Sequence, residues 1–134
     1  MRLGRKEGLV AVRVLLSGIV ALALSGCVFY QPIEASRIWH SFEATAYCDY
    51  GFTASGIYVR EGVVAGDPRI LPLGSEIDVR LDDGEVLEKR QVMDTGGAVK
   101  GYVIDIWMPT CEAATAFGRK QVKVRVRRKG TLKM

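Results

Sequence analysis

Glu76-Ile77-Asp78-Val79-Arg80-Leu81-Asp82-Asp83-Gly84-Glu85-Val86-Leu87-Glu88-Lys89-Arg90-Gln91-Val92-Met93 decides the fold class of this chain. Ile77, Val79 and Leu81 alternate with charged residues, a period of two that makes Glu76 to Leu81 a half-buried strand. Asp82-Asp83-Gly84 is a turn signal, and Val86 to Met93 answers as the partner strand. The same texture extends outward. Phe42 to Tyr47 reads as a strand, and Val103 to Trp107 as a continuous apolar strand interrupted by Asp105. Val122, Val124 and Val126 alternate with Lys123, Arg125 and Arg127 to give a final strand. One helix is predicted, Cys111 to Phe117, with Thr110 as N-cap, Glu112 in the first turn and Gly118 at C′. The prediction is mainly β: a small closed structure of about six strands with one short helix.

The 134 residues leave room for one domain and exclude a two-domain enzyme. With 49% hydrophobic and 25% charged residues, the composition is globular. A net charge of +4 invites an acidic partner, but its location argues otherwise. Arg2, Arg5, Lys6 and Arg13 stand against Glu7 alone at the start of the chain. The apolar run Val14 to Gly26 that follows is shorter than the about 20 residues of a transmembrane helix, so it reads as a signal-peptide core. It closes with Leu24-Ser25-Gly26-Cys27, which resembles the lipobox of bacterial lipoproteins. That resemblance implies cleavage before Cys27, lipid on its thiol, and membrane attachment on the periplasmic face. Val28 is not the aspartate that favours inner-membrane retention, so the outer membrane is expected. The expected organisation is a signal peptide over 1–26, a lipidated tether over 27–40, a barrel over 41–128 and a basic tail over 129–134. Arg119 to Lys133 holds the remaining concentration of basic residues without an acid. It reads as a solvated strand face with a frayed tail, or as a contact for anionic wall polymer or headgroups, and not for nucleic acid.

Cys48 and Cys111 form an even pair in an exported context, where a disulfide is permitted and two separate buried thiols are the alternative. Two cysteines and the distant His40 are too few ligands for a metal site, and no cofactor is expected.

Three aspartates stand out. Asp67 precedes Pro68 in a loop after Val63-Val64-Ala65-Gly66, Asp94 opens Asp94-Thr95-Gly96-Gly97, and Asp105 sits between Ile104 and Ile106. A carboxylate among apolar neighbours is partly desolvated, which raises its pKa and suits it to general acid work. An edge-strand aspartate facing water is the plainer reading of Asp105. Gly96-Gly97 is a tight loop where backbone can approach a ligand, or a plain turn needing positive φ.

The order of these pieces is similar to the 3D domain, named for its three aspartates. The matching runs are Thr45-Ala46-Tyr47, Thr53-Ala54-Ser55-Gly56, Val64-Ala65-Gly66-Asp67-Pro68 and Leu71-Pro72-Leu73-Gly74-Ser75. Asp94-Thr95-Gly96-Gly97-Ala98-Val99-Lys100-Gly101, Asp105-Ile106-Trp107 and Phe117-Gly118-Arg119 complete the set. The family includes bacterial cell-wall proteins and the catalytic barrel of membrane-bound lytic transglycosylase A. The resemblance implies a six-stranded double-psi β-barrel that cleaves the glycan strands of peptidoglycan with 1,6-anhydro ring formation. It implies Asp105 as acid/base, Asp94 beside it raising its pKa by charge repulsion, and Asp67 lining the same groove. Thr95, Gly96, Gly97, Lys100 and Tyr47 fall at its substrate-binding positions. A non-catalytic wall-binding lipoprotein is the alternative. Asp94-Thr95-Gly96 also resembles the triplet of aspartic proteases, but that leaves the other runs unexplained. A rare-lipoprotein-A-like site needs a histidine in the barrel, and the single histidine, His40, lies before it.

Overall fold

A computed structural model of the chain describes residues 28–133. The expected signal peptide over 1–26 and Cys27, the residue expected to carry lipid, lie outside the described residues. Six strands and one helix follow in order: β1 His40–Tyr47, β2 Val63–Gly66, β3 Glu76–Arg80, β4 Val86–Asp94, β5 Val103–Trp107, α1 Cys111–Phe117 and β6 Lys120–Arg128. They close in the order β1-β5-β2-β4-β3-β6, so every strand has two neighbours and the barrel has no open edge. The pairs β1·β5 and β2·β4 are parallel and the others antiparallel. Phe42, Ile77, Val79, Val92, Ile104, Val124 and Val126 fill the interior, with Ile70, Leu71 and Leu73 plugging it from a loop. The helix is capped as its sequence dictates. Thr110 Oγ1 accepts from Ala113 N at 3.1 Å, and Gly118 ends it at φ 65°.

β2 escapes the periodicity reading. Its four residues are all buried, so no alternation marks them. Asp78 corrects the half-buried reading of β3, because it is 0% exposed rather than on a wet face. A bulge opposite it puts Lys89 at φ 53°. Asp78 Oδ1 then accepts the Lys89 N–H at 3.0 Å, and Arg125 and Arg127 of β6 bond the carboxylate. Burial alone would raise this carboxyl's pKa, but the hydrogen bonds from Arg125, Lys89 N and Arg127 pull it below the ordinary value.

The tether and the tail are both docked. Ile33 is buried in the core, Ile33 N donates to Ile70 O at 2.9 Å, and Ser36 N donates to Val126 O at 3.0 Å. Tyr30 lies under Arg69, and Trp39 between Arg80 and Arg125. At the other end Gly130 N donates to Ser75 Oγ at 2.8 Å, and Leu132 N to Leu73 O at 3.1 Å. Part of the basic stretch is paired with acids across the fold: Arg119 with Glu43, Arg125 with Asp78, Arg127 with Asp78 and Glu76, and Lys129 with Glu34. A side chain on Gly130 would run into the Leu73 carbonyl and Ser75 backbone. Gly130→Ala is therefore expected to peel the tail from the barrel, costing about 1–3 kcal/mol. Limited proteolysis with the intact mass of the product reads this out, and an unchanged cleavage rate would refute it.

Candidate active site

Strand register, rather than any local motif, assembles the site. Ala65 on β2 is the register partner of Asp94 on β4 and of Asp105 on β5. The two aspartates therefore flank a single strand, with backbones about 10 Å apart. Ala65 is the small floor between them. Thr45 on β1 is paired with Asp105 from the other side. Above this floor lies a groove of about 290 Å³, lined among others by Tyr47, Asp49, Tyr50, Phe52, Thr95 and Gly96. Val59 in its lining packs with Val63 and Trp107 in a small apolar cluster.

Asp105 is half-buried on a central strand, which excludes the edge-strand reading. Its Oδ1 accepts from Thr45 Oγ1 at 3.0 Å. Among the described residues no donor reaches Oδ2, so that oxygen is open to the groove. Desolvation raises the Asp105 pKa, opposed by the Thr45 hydrogen bond and by Arg119. Repulsion from Asp49 also raises it, ahead of that from Asp94. Both expected causes, burial and the Asp94 charge, act on Asp105, and Asp49, which the motif reading did not single out, comes ahead of Asp94.

Asp94 is held by three donors. Tyr47 Oη donates to Oδ2 at 3.1 Å, while Ala54 N and Thr95 N donate to Oδ1 at 3.0 and 2.9 Å. Burial first, then the nearby Asp94 charge, pushes the Tyr47 phenol well above its ordinary pKa, so it remains a donor. This clamp ties the loop after β1 to the end of β4 and sets one wall of the groove.

Asp67 sits elsewhere. It is 1% exposed and does not line the groove, contrary to the expectation. Its carboxylate accepts from Arg69 N, Nε and Nη2 and from Gly101 N at 2.7 Å. It staples the loop after β2 to the turn that leads into β5, which makes it a positioning residue. The Arg69 side-chain bonds, outweighing burial, lower its pKa to about 2 from 3.8. A depressed carboxylate stabilises the fold above its unfolded pKa and loses that contribution as pH falls through the folded one. Asp67 is thus expected to contribute about 2 kcal/mol at neutral pH, lost between about pH 4 and pH 2. Denaturant titrations of wild type and Asp67→Asn should converge across that window, and parallel curves would contradict the assignment.

Thr95 and Gly96 line the groove, whereas Lys100 and Gly97 are exposed and lie outside it. The pair opens a turn, closed by Val99 N donating to Gly96 O at 3.1 Å, but neither glycine has positive φ, so the expected need for it is corrected. Gly96 is required by space, since a Cβ there would meet Val99 Cγ2 at 2.8 Å. Cys48 and Cys111 are bridged, fixing the groove loop after β1 to the start of α1. Among the described residues no group of three or more His, Cys, Asp or Glu side chains is placed to hold a metal ion. Asp49, Tyr50 and Phe52 were not singled out from the sequence. They sit on a loop without periodicity, and only the residue types, acid and aromatic, hinted at a ligand surface.

The family model described as 3D domain matches residues 62–127. The chain is 39% identical over 80 residues to the cell wall-binding protein YocH of Bacillus subtilis, covering 57% of this chain and 26% of YocH. Among solved structures, MltA from E. coli is similar in fold, with TM-score 0.50 and 22% identity over 60% of this chain and 28% of that one. The Streptomyces papain inhibitor aligns over 72% of this chain and 100% of its own, with TM-score 0.55 and 17% identity. Both structural likenesses concern the fold alone. The match runs from the start of the second strand through the aspartate pair to the last strand, and this part of the chain is a 3D domain.

Proposed function

We propose that this chain acts on bacterial cell-wall peptidoglycan as a lytic transglycosylase, with Asp105 as the single acid/base. The observation that carries this is a half-buried carboxyl with a raised pKa and one oxygen open to a groove. Asp105 Oδ2 donates its proton to the glycosidic oxygen of the MurNAc–GlcNAc β-1,4 bond as that bond breaks and oxocarbenium character develops at C1. The ionised carboxylate then takes the proton of the C6 hydroxyl, whose oxygen attacks C1 and closes the 1,6-anhydro ring. No water is consumed, so no second carboxylate at hydrolase spacing is needed. Thr45 orients the acid, and the Tyr47–Asp94 clamp shapes the wall opposite. The 3D domain and the likeness to a protein named as cell wall-binding support the substrate class.

That relative's name also favours a second reading, a wall-binding module without turnover. Incubating the purified chain with sacculi separates the two. Soluble anhydro-muropeptides identified by mass spectrometry mean enzyme, and pelleting without release means binder. Asp94→Asn weakens the clamp without removing the acid. It is expected to lower the release rate about 10-fold to 100-fold, less than loss of Asp105. An undiminished rate would remove Asp94 from the mechanism. The proposal extends to place: lipid on Cys27 would hold the barrel outside the cytoplasm, at the outer membrane. The docking of Tyr30 and Ile33 would leave a leash of only a few residues there. Intact mass of the membrane-extracted chain tests the modification.

A further inference from the structure

The loop between β1 and β2 is tightly tied and still turns its largest apolar side chains outward. Trp107 Nε1 donates to Asp49 O at 3.0 Å, and Tyr50 Oη to Pro109 O at 2.9 Å. Val59 N donates to Gly51 O at 2.9 Å, Thr53 N to Ile57 O at 2.8 Å, and Ser55 N to Met93 O at 3.1 Å. With the Cys48–Cys111 bridge at its base, this is an ordered hairpin. Yet Tyr50 is 62% exposed, Phe52 80% and Tyr58 52%. Isolated exposed apolar residues are ordinary, but a contiguous set on a rigid support marks a contact surface.

The rings are arranged to leave faces free. Phe52 and Tyr58 meet edge to face, with centroids 5.4 Å apart and planes at 87°, and Tyr50 meets Trp107 in the same way at 88°. Neither pair stacks its faces against itself. Tyr50 and Phe52 also line the groove that holds Asp49, Asp94 and Asp105, and Phe52 hands the surface on to Tyr58. The platform is therefore continuous with the acid site. Open aromatic faces beside carboxylates match a pyranose ring, which has apolar C–H faces and hydroxyls around its rim.

We propose that Tyr50, Phe52 and Tyr58 form a sugar-stacking subsite, on which the glycan strand lies as it extends from the groove. This rests on the reading of the groove as a glycan site and adds where the rest of the chain of sugars is gripped. The rigid hairpin makes it a preformed site, so little ordering cost falls on binding.

The test uses the full chain carrying Asp105→Asn, so that bound glycan remains uncut. Affinity for a soluble chito-oligosaccharide is measured by calorimetry, and association with sacculi by pelleting. Adding Phe52→Ala and Tyr58→Ala together is expected to weaken both at least 10-fold with unchanged thermal unfolding, and Phe52→Trp to retain binding. Equal binding with and without the two rings overturns the subsite while leaving the groove reading intact. Lost binding to sacculi with undiminished binding to the oligosaccharide also overturns it, because the occupant is then the wall peptide. A parent that binds neither ligand, together with a wild type that releases no muropeptide, overturns the groove reading itself, and the subsite with it. If the double variant unfolds early, Phe52→Ser alone supplies the same comparison at a position that is mostly in solvent.

Discussion

Asp105→Asn is expected to reduce release of anhydro-muropeptides by at least 10²–10⁴-fold, the range for loss of a proton carrier. That corresponds to about 3–5 kcal/mol in the barrier. The substitution is close to isosteric, and the amide oxygen still accepts the Thr45 hydroxyl that now bonds Oδ1. What is lost is the proton and the charge that returns for it. Because burial penalises the ionised form, removing the charge should leave stability unchanged or raise it slightly. Loss of activity with retained or higher Tm is thus the paired signature, and loss of both would point to misfolding. The pH dependence has a definite sign. The first step needs the protonated acid, and desolvation raises the pKa of that acid. Activity of wild type should fall as pH rises through this raised pKa. Removing Asp49, whose charge also pushes it up, should move the falling limb to lower pH. A limb that does not move under Asp49→Asn would assign it to another group.

Replacing both Cys48 and Cys111 by Ser is expected to cost about 4 kcal/mol. The bridge joins residues 63 apart in sequence, and closing a loop of that length removes about this much conformational freedom from the unfolded chain. For a domain of this size the loss lowers Tm by roughly 20 °C, readable by circular dichroism with and without reductant. A wild type whose Tm is indifferent to reductant would refute it. The bridge also fixes the base of the groove loop. The double variant should therefore lose glycan binding before it loses secondary structure, since the covalent tie next to Asp49 and Tyr50 is gone and their bonds to Trp107 and Pro109 must hold that end of the loop.

Much of the fold was legible because its signals are local. Alternation of Ile77 and Val79 with charged residues, the Asp82-Asp83-Gly84 turn and the Thr110 and Gly118 caps each act within a few residues, and the observed elements follow them. The failures share one cause as well. β2 is buried on both sides and so carries no pattern, and Asp78 is buried because β6 brings two arginines to it. The tether and tail look featureless alone because their partners, Ile70, Val126, Leu73 and Ser75, lie far along the chain.

The site divides in the same way. Its acids, Asp94 and Asp105, stand in the motif runs and could be named from residue type and neighbours. Whether they meet was decided by register: Ala65 pairs with both, and Thr45 reaches Asp105 across 60 residues of sequence. Asp67 stands in an equally good motif but is turned inward to Arg69 and Gly101. Sequence by itself thus determined the patterned strands, the helix, the turns and the chemical groups on offer, because propensity and periodicity are short-range. Only the closed barrel decided which of those groups are desolvated, which are clamped and which face the groove, because burial and strand register depend on contacts between residues distant in the chain.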